Sequence, residues 1–243
     1  TMAVMSALVF AGQMINYTIP GTGSSGHLCG GMLLSAILGP WAGFLSMIVI
    51  LAIQALFFAD GGLLALGANV WNMAFYGCFV GYFLIYRPLM QGKLLSGKGR
   101  TKLVLASVLG CVVTLQLGAL SVVVETSLSG ITALTFSAFA ALMQPIHLAI
   151  GLVEGGITAA VLLFVYQTRP ELLQCASASG AKNRCSRRAT LAILAAAALV
   201  IGGGLSLLAS ANPDGLEWSL FGNEEAGYSA NMGLDEEAYG AES

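Results

Sequence analysis

The chain of 243 residues has two histidines, and they stand in unlike surroundings. His27 ends a stretch rich in glycine, Ile19-Pro20-Gly21-Thr22-Gly23-Ser24-Ser25-Gly26, and leads into an apolar run. Imidazole suits nickel, cobalt, copper and zinc, and neighbouring glycines let other backbone approach an ion closely. A lone histidine can equally be a cap or a satisfied polar group. No HExxH, histidine pair or cysteine cluster supplies a second ligand at helical spacing, so local sequence alone does not complete a metal site. His147 and Glu154 lie seven residues apart, on one face of a helix and two turns from each other. Ionisable groups within a membrane face the interior of the bundle, where they either serve function or pair across helices to fix packing. Gly151, Gly155 and Gly156 on the same stretch favour close helix contact.

Gln54, Asp60, Asn69 and Asn72 form a further polar set within apolar sequence. Asp60-Gly61-Gly62 reads as a turn. Asn69 and Asn72, at i and i+3, share a face and either hydrogen-bond across helices or orient a ligand. Gly23-Ser24-Ser25-Gly26 fits the GxSG pattern of intramembrane serine proteases, with His147 as a possible base. That match is short in a chain with 31 glycines. A non-catalytic membrane scaffold is a third reading.

The elements that must hold these residues are membrane helices. With 57% hydrophobic and 9% charged residues, the chain is too apolar for a soluble domain of this length. Runs that can cross a hydrocarbon core occur at Pro40–Phe58, Leu63–Tyr86, Leu103–Val124, Pro145–Tyr166 and Ala189–Ala209. Shorter runs occur at Met2–Ile15, Leu28–Leu38 and Ile131–Met143. The expected fold is all-α: a polytopic transmembrane helical bundle of about seven helical segments.

All ten Lys and Arg fall into two groups, Arg87 to Lys102 and Arg169 to Arg188, so both loops are assigned to the cytoplasm. By parity the irregular segment Asn16–His27 lies outside, where it is the best candidate for a binding site. Its Pro20 and glycines preclude regular helix, and His27 is expected to open the next one. Ile131–Met143 is expected as a partial helix leading through Pro145, at a first turn, into a full span. Eight of the twelve acids follow Asn212, in a tail placed outside that is unsuited to nucleic acid or anionic lipid. Cys29, Cys78, Cys111, Cys175 and Cys185 show no CxxC spacing, and no structural disulfide is expected.

Several motifs in order carry a specific likeness. Phe10-Ala11-Gly12-Gln13-Met14-Ile15-Asn16, Ile19-Pro20-Gly21-Thr22, Ser25-Gly26-His27-Leu28, Gly30-Gly31 and Leu38-Gly39-Pro40-Trp41-Ala42 come first. Gln54 through Gly62, Leu66-Gly67-Ala68-Asn69 with Asn72-Met73, and His147 through Gly155 follow. Together, over most of Met2–Arg169, they resemble the CbiM/NikM family, substrate-capture subunits of energy-coupling factor transporters for cobalt and nickel. Asn212-Pro213-Asp214-Gly215-Leu216-Glu217-Trp218 is similar to the PDGLE segment of the small companion subunit, often fused behind the capture subunit.

The resemblance implies a membrane capture domain over 1–169, a basic cytoplasmic linker over 170–188, and a membrane helix with an external acidic tail over 189–243. It implies that His27 shares a square-planar set of nitrogens with a free N-terminal Met-His pair that threads back into the protein, an arrangement suited to Ni²⁺. The chain starts at Thr1 without such a pair, so a preceding helix carrying it is expected. Asn69, Asn72, His147 and Glu154 are then residues that could support the site. Cobalt or nickel is cargo and no cofactor is expected. With no GxxxxGK[ST] phosphate loop, the implied partners are separate ATPase subunits and a transmembrane coupling subunit.

Overall fold

The computed structural model describes residues 1–20, 23–58, 62–92, 99–130, 135–175 and 185–223. The expected turn at Asp60-Gly61, four of the ten basic residues (Lys93, Lys98, Lys182 and Arg184), the start of the expected partial helix and the tail after Asn223 lie outside these.

The chain is a polytopic helical membrane protein. Helix α1 (Met2–Gln13) leads into a small hairpin, β1 (Tyr17–Ile19) and β2 (Ser24–Gly26), then α2 (Gly31–Leu38) and α3 (Pro40–Phe57). Next come α4 (Gly62–Met90), α5 (Gly99–Ser129), α6 (Phe136–Thr168) and α7 (Arg187–Gly203). A short α8 (Gly215–Phe221) follows α7. Helix α3, α4, α5, α6 and the stretch Arg187–Leu208 containing α7 are each long and apolar enough to cross a bilayer, and each overlaps one expected full span.

What makes these helices membrane helices is visible on their outer faces. Trp41, Phe57 and Leu199 are 74%, 78% and 77% exposed, although water gives such side chains no reason to face outward. Inside, Met5, Leu34, Met47, Leu103, Leu162 and Val165 form a continuous buried core. Glycine sets the closest approach: a Cβ at Gly151 or Gly155 would stand 2.9 or 2.7 Å from the Cα of Val112 or Val108, so α6 lies directly on the backbone of α5. Gly156 faces open space instead and takes no part in this contact.

Three expectations are corrected. Helix α2 begins at Gly31, so His27 lies ahead of it in an extended connection; Gly30, with φ of 77°, makes the bend into the helix. The segment before His27 is not wholly irregular: β1 and β2 pair antiparallel with Tyr17 opposite Gly26 and Thr18 opposite Ser25. Finally, Pro145 sits inside α6 rather than at its first turn. A proline here removes one backbone donor, and polar groups of α5 pack alongside: Gln116 Nε2 donates to the Gln144 carbonyl at 2.9 Å and Gln144 Nε2 to the Gln116 carbonyl at 3.3 Å.

Within α4, the turns over Val70–Tyr86 are π-wound. This winding begins next to Asn69, and such irregularity concentrates at functional positions.

Candidate metal centre

The connection Gly26-His27-Leu28-Cys29-Gly30 is placed by contacts from two helices, α1 and α6. Gly26 lies flush on α6, where a Cβ would stand 2.6 Å from Ile150 Cγ1. Gln13, at the end of α1, donates from Nε2 to the Cys29 carbonyl at 2.6 Å. Glu154 of α6 accepts from the Cys29 N–H on one oxygen and the Gly30 N–H on the other, both at 2.9 Å. Hydrogen bonds to a charged group contribute about 1.5–3 kcal/mol each, offset by the cost of burying the carboxylate. Glu154 is 2% exposed.

On this fixed backbone His27 is half-buried, and its Nδ1–H donates to the Leu28 carbonyl at 3.2 Å. A carbonyl can only accept, so the neutral ring keeps its lone pair on Nε2, the state a metal ligand needs. His147 is arranged the same way: Nδ1–H donates to the Met143 carbonyl at 2.8 Å.

The five residues singled out in the sequence meet at one place. His27, Asn69, Asn72, His147 and Glu154 all line a cavity of about 140 Å³, which Asp214 also lines. One water needs about 10–15 Å³, so there is room for an ion with several waters. Among the described residues no three His, Cys, Asp or Glu side chains converge as a ready-made metal cluster. His27 can therefore be one donor, and a full ligand set needs more than these side chains. Burial, and then the charge of Glu154, push the thiol of Cys29, beside it, well above the ordinary range. Burial pushes the Tyr17 phenol up in the same way, with the same carboxylate as second cause.

Asn72 does bond across helices: Nδ2 donates to Glu125 Oε2 of α5 at 2.9 Å. Ser121, one turn earlier, donates to the other oxygen of Glu125 at 3.5 Å and accepts from Trp71 Nε1 at 3.2 Å. Glu125 carried no signal in the sequence beyond its position at a helix end. Gln54 stands apart, with Nε2 reaching Met14 Sδ at 4.0 Å.

The paired Ser25 and His147 of a protease are not formed. Ser25 is fully buried, its Oγ donates to the carbonyls of Asn212 at 2.8 Å and Pro213 at 3.2 Å, and its N–H donates to Pro213 at 2.7 Å. A nucleophile needs its hydroxyl directed at a base, and here the hydroxyl is directed at two backbone carbonyls instead.

These bonds also reveal what the sequence did not: the segment after α7 returns to cover the site. Asp214 caps α8 by accepting from Leu216 and Glu217, both at 2.8 Å, while Glu217 accepts from the Asp214 N–H at 3.2 Å. The D-x-x-E spacing of this capping box is the signal by which the helix start could have been found. Trp218 then buries against Ile19, Leu115, Ile146 and Ile150, and Asp214, Gly215 and Leu216 become a wall of the cavity.

Comparison with known proteins finds two matching families. Residues 1–172 match the family described as cobalt uptake substrate-specific transmembrane region, and residues 188–242 match the PDGLE domain. A NikMN protein of Archaeoglobus fulgidus is 38% identical over 73% of this chain, which spans only 56% of that relative's length. The fused nickel transport protein NikMN of Rhodobacter capsulatus is 33% identical over 95% of the chain and 67% of its own length. The cobalt transport protein CbiM of Sorangium cellulosum is 36% identical, over 70% of the chain and 74% of its own. The crystal structure of a truncated transition metal transporter, 37% identical, superposes with a TM-score of 0.57 over 68% of this chain and 79% of that one. These relatives are named as metal transport proteins, not enzymes. The chain belongs to the CbiM family of cobalt uptake substrate-specific transmembrane regions, with a PDGLE domain fused behind it.

Proposed function

We propose that this chain captures Ni²⁺ or Co²⁺ at the external face of the cell membrane, with His27 Nε2 as a ligand, and hands the ion to an energy-coupling factor transporter. The observation that carries this reading is the gathering of His27, Asn69, Asn72, His147 and Glu154, which are far apart in the chain, around one cavity, with the lone pair of His27 left on Nε2. The remaining nitrogens come from the N-terminal Met-His pair that the family resemblance implies. Asn69, Asn72, His147 and Glu154 support the site around that first set.

On this reading the domain over 1–169 captures the ion, 170–188 is a cytoplasmic linker, and 189–243 brings the PDGLE segment to the external side. The basic loops face the cytoplasm, where the coupling subunit and the ATPases act. Four nitrogens in a plane favour Ni²⁺ over Zn²⁺. The fused PDGLE segment, shared with relatives named as nickel transport proteins, favours nickel over cobalt.

The test is equilibrium binding of Ni²⁺ and Co²⁺ to the full-length protein in detergent, beside His27→Ala. Tight binding lost in the variant is the expected result. Equal binding by both proteins, or none by either, overturns the reading.

A further inference from the structure

Glu154 has an arrangement that packing alone does not account for. Its carboxylate is nearly inaccessible, yet no Lys or Arg among the described residues pairs with it. Both of its oxygens hold consecutive peptide N–H groups, Cys29 and Gly30, which follow His27 directly along the chain. It lines the cavity together with His27. A buried charge without a counter-charge is costly in an apolar interior. Two peptide dipoles stabilise it in part. The four nitrogens of His27 and the implied Met-His pair are an amine, two imidazoles and one peptide nitrogen, which ligates only after losing its proton, so a divalent cation held there keeps a net positive charge, the opposite deficit.

We propose that Glu154 is the positioning residue of the ion site and its counter-charge: the carboxylate locks the Cys29-Gly30 backbone, so fixing His27, and its negative charge offsets that of the captured Ni²⁺ or Co²⁺. The inference rests on the proposed role of His27 as a ligand. Binding the ion then completes an ion pair that the empty protein lacks, without the carboxylate having to touch the metal. The clamp has two jaws, since Gln13 grips the Cys29 carbonyl while Glu154 grips the N–H groups. Gln13 is neutral, so only one jaw carries charge.

That difference supplies the test. Ni²⁺ affinity, the ligand-field absorption of bound Ni²⁺ and the metal-free unfolding midpoint are measured on the full-length protein and on Glu154→Gln and Gln13→Leu. Glu154→Gln is expected to weaken Ni²⁺ binding roughly 10–100-fold, the usual range for a residue that orients a ligand. Its ligand-field band should shift while the metal-free midpoint changes little. Gln13→Leu loosens the same peptide without removing charge and should weaken binding by a smaller factor, with a shifted band.

Wild-type affinity in Glu154→Gln overturns the proposal. Equal losses in the two variants overturn its counter-charge half. If Glu154→Gln does not fold, unchanged affinity and band in Gln13→Leu overturn the positioning half. Should His27→Ala bind Ni²⁺ like the wild type, the capture reading itself fails, a result separable from all of these.

Discussion

The helical body and the cap over the cavity are held together by different forces. In the body, α5 and α6 meet through Gly151 and Gly155 on the backbone of Val112 and Val108, and much of the bundle's contact is apolar. In the cap, residues 16–20, 23–30 and 210–223 are held mainly by directional bonds: Ser25 to Asn212 and Pro213, Thr18 Oγ1 to Ser210 Oγ at 2.9 Å, the Ser210 N–H to the Asn16 carbonyl at 2.7 Å. Packing is cooperative and spread over many side chains, so it sets whether the protein folds. Few bonds with defined geometry set where one imidazole stands. The proposed site therefore lies on the lightly held side, where Glu154 reaches it from the body.

Substitutions can break this contrast, beginning with the largest effect. His27→Ala removes the proposed ligand and should abolish detectable Ni²⁺ binding in calorimetry while the unfolding midpoint stays near that of the wild type. Gly155→Leu should do the reverse. Its side chain must enter the backbone of Val108, and overpacking of this kind costs about 1–3 kcal/mol or more, read as a lowered midpoint in thermal unfolding. Whatever protein remains folded should still bind the ion.

Asp214→Ala tests the outer wall. It removes the cap of α8, worth about 0.5–2 kcal/mol, and should loosen the segment that covers the cavity. Faster release of Ni²⁺ in stopped-flow chelator exchange is expected, with a smaller change in midpoint than Gly155→Leu gives. The smallest effect belongs to Ser25→Ala. It removes a hydroxyl bond of about 1 kcal/mol but keeps the backbone bond from the Ser25 N–H to Pro213, so ion release should quicken by only a few fold. A collapse of binding in Ser25→Ala as complete as in His27→Ala would erase the distinction between ligand and latch.

The same contrast explains what could be read in the sequence. Membrane helices announce themselves by composition, and each of the five long apolar runs became one. The candidate site residues were legible by type and by motif: an imidazole after glycine, asparagines at i and i+3, an acid and a histidine on one face. Their meeting at one cavity was not, because it depends on how α2, α4, α5 and α6 cross. The hairpin escaped notice since three-residue strands around Pro20 and three glycines have no alternation to detect. Pro145 inside α6 reversed the usual reading of proline as a helix start; tertiary packing against α5 outweighed local propensity. Gln13 lay within a recognised motif, but nothing in the motif says that it grips the Cys29 carbonyl.

Nickel K-edge X-ray absorption on the loaded, full-length protein tests the central claim most directly, with His27→Ala as its partner sample. Nitrogen-only, planar ligation with imidazole scattering that disappears in the variant is the predicted result. Sulfur scattering from Cys29 or a methionine, or a spectrum unchanged by loss of His27, would contradict it.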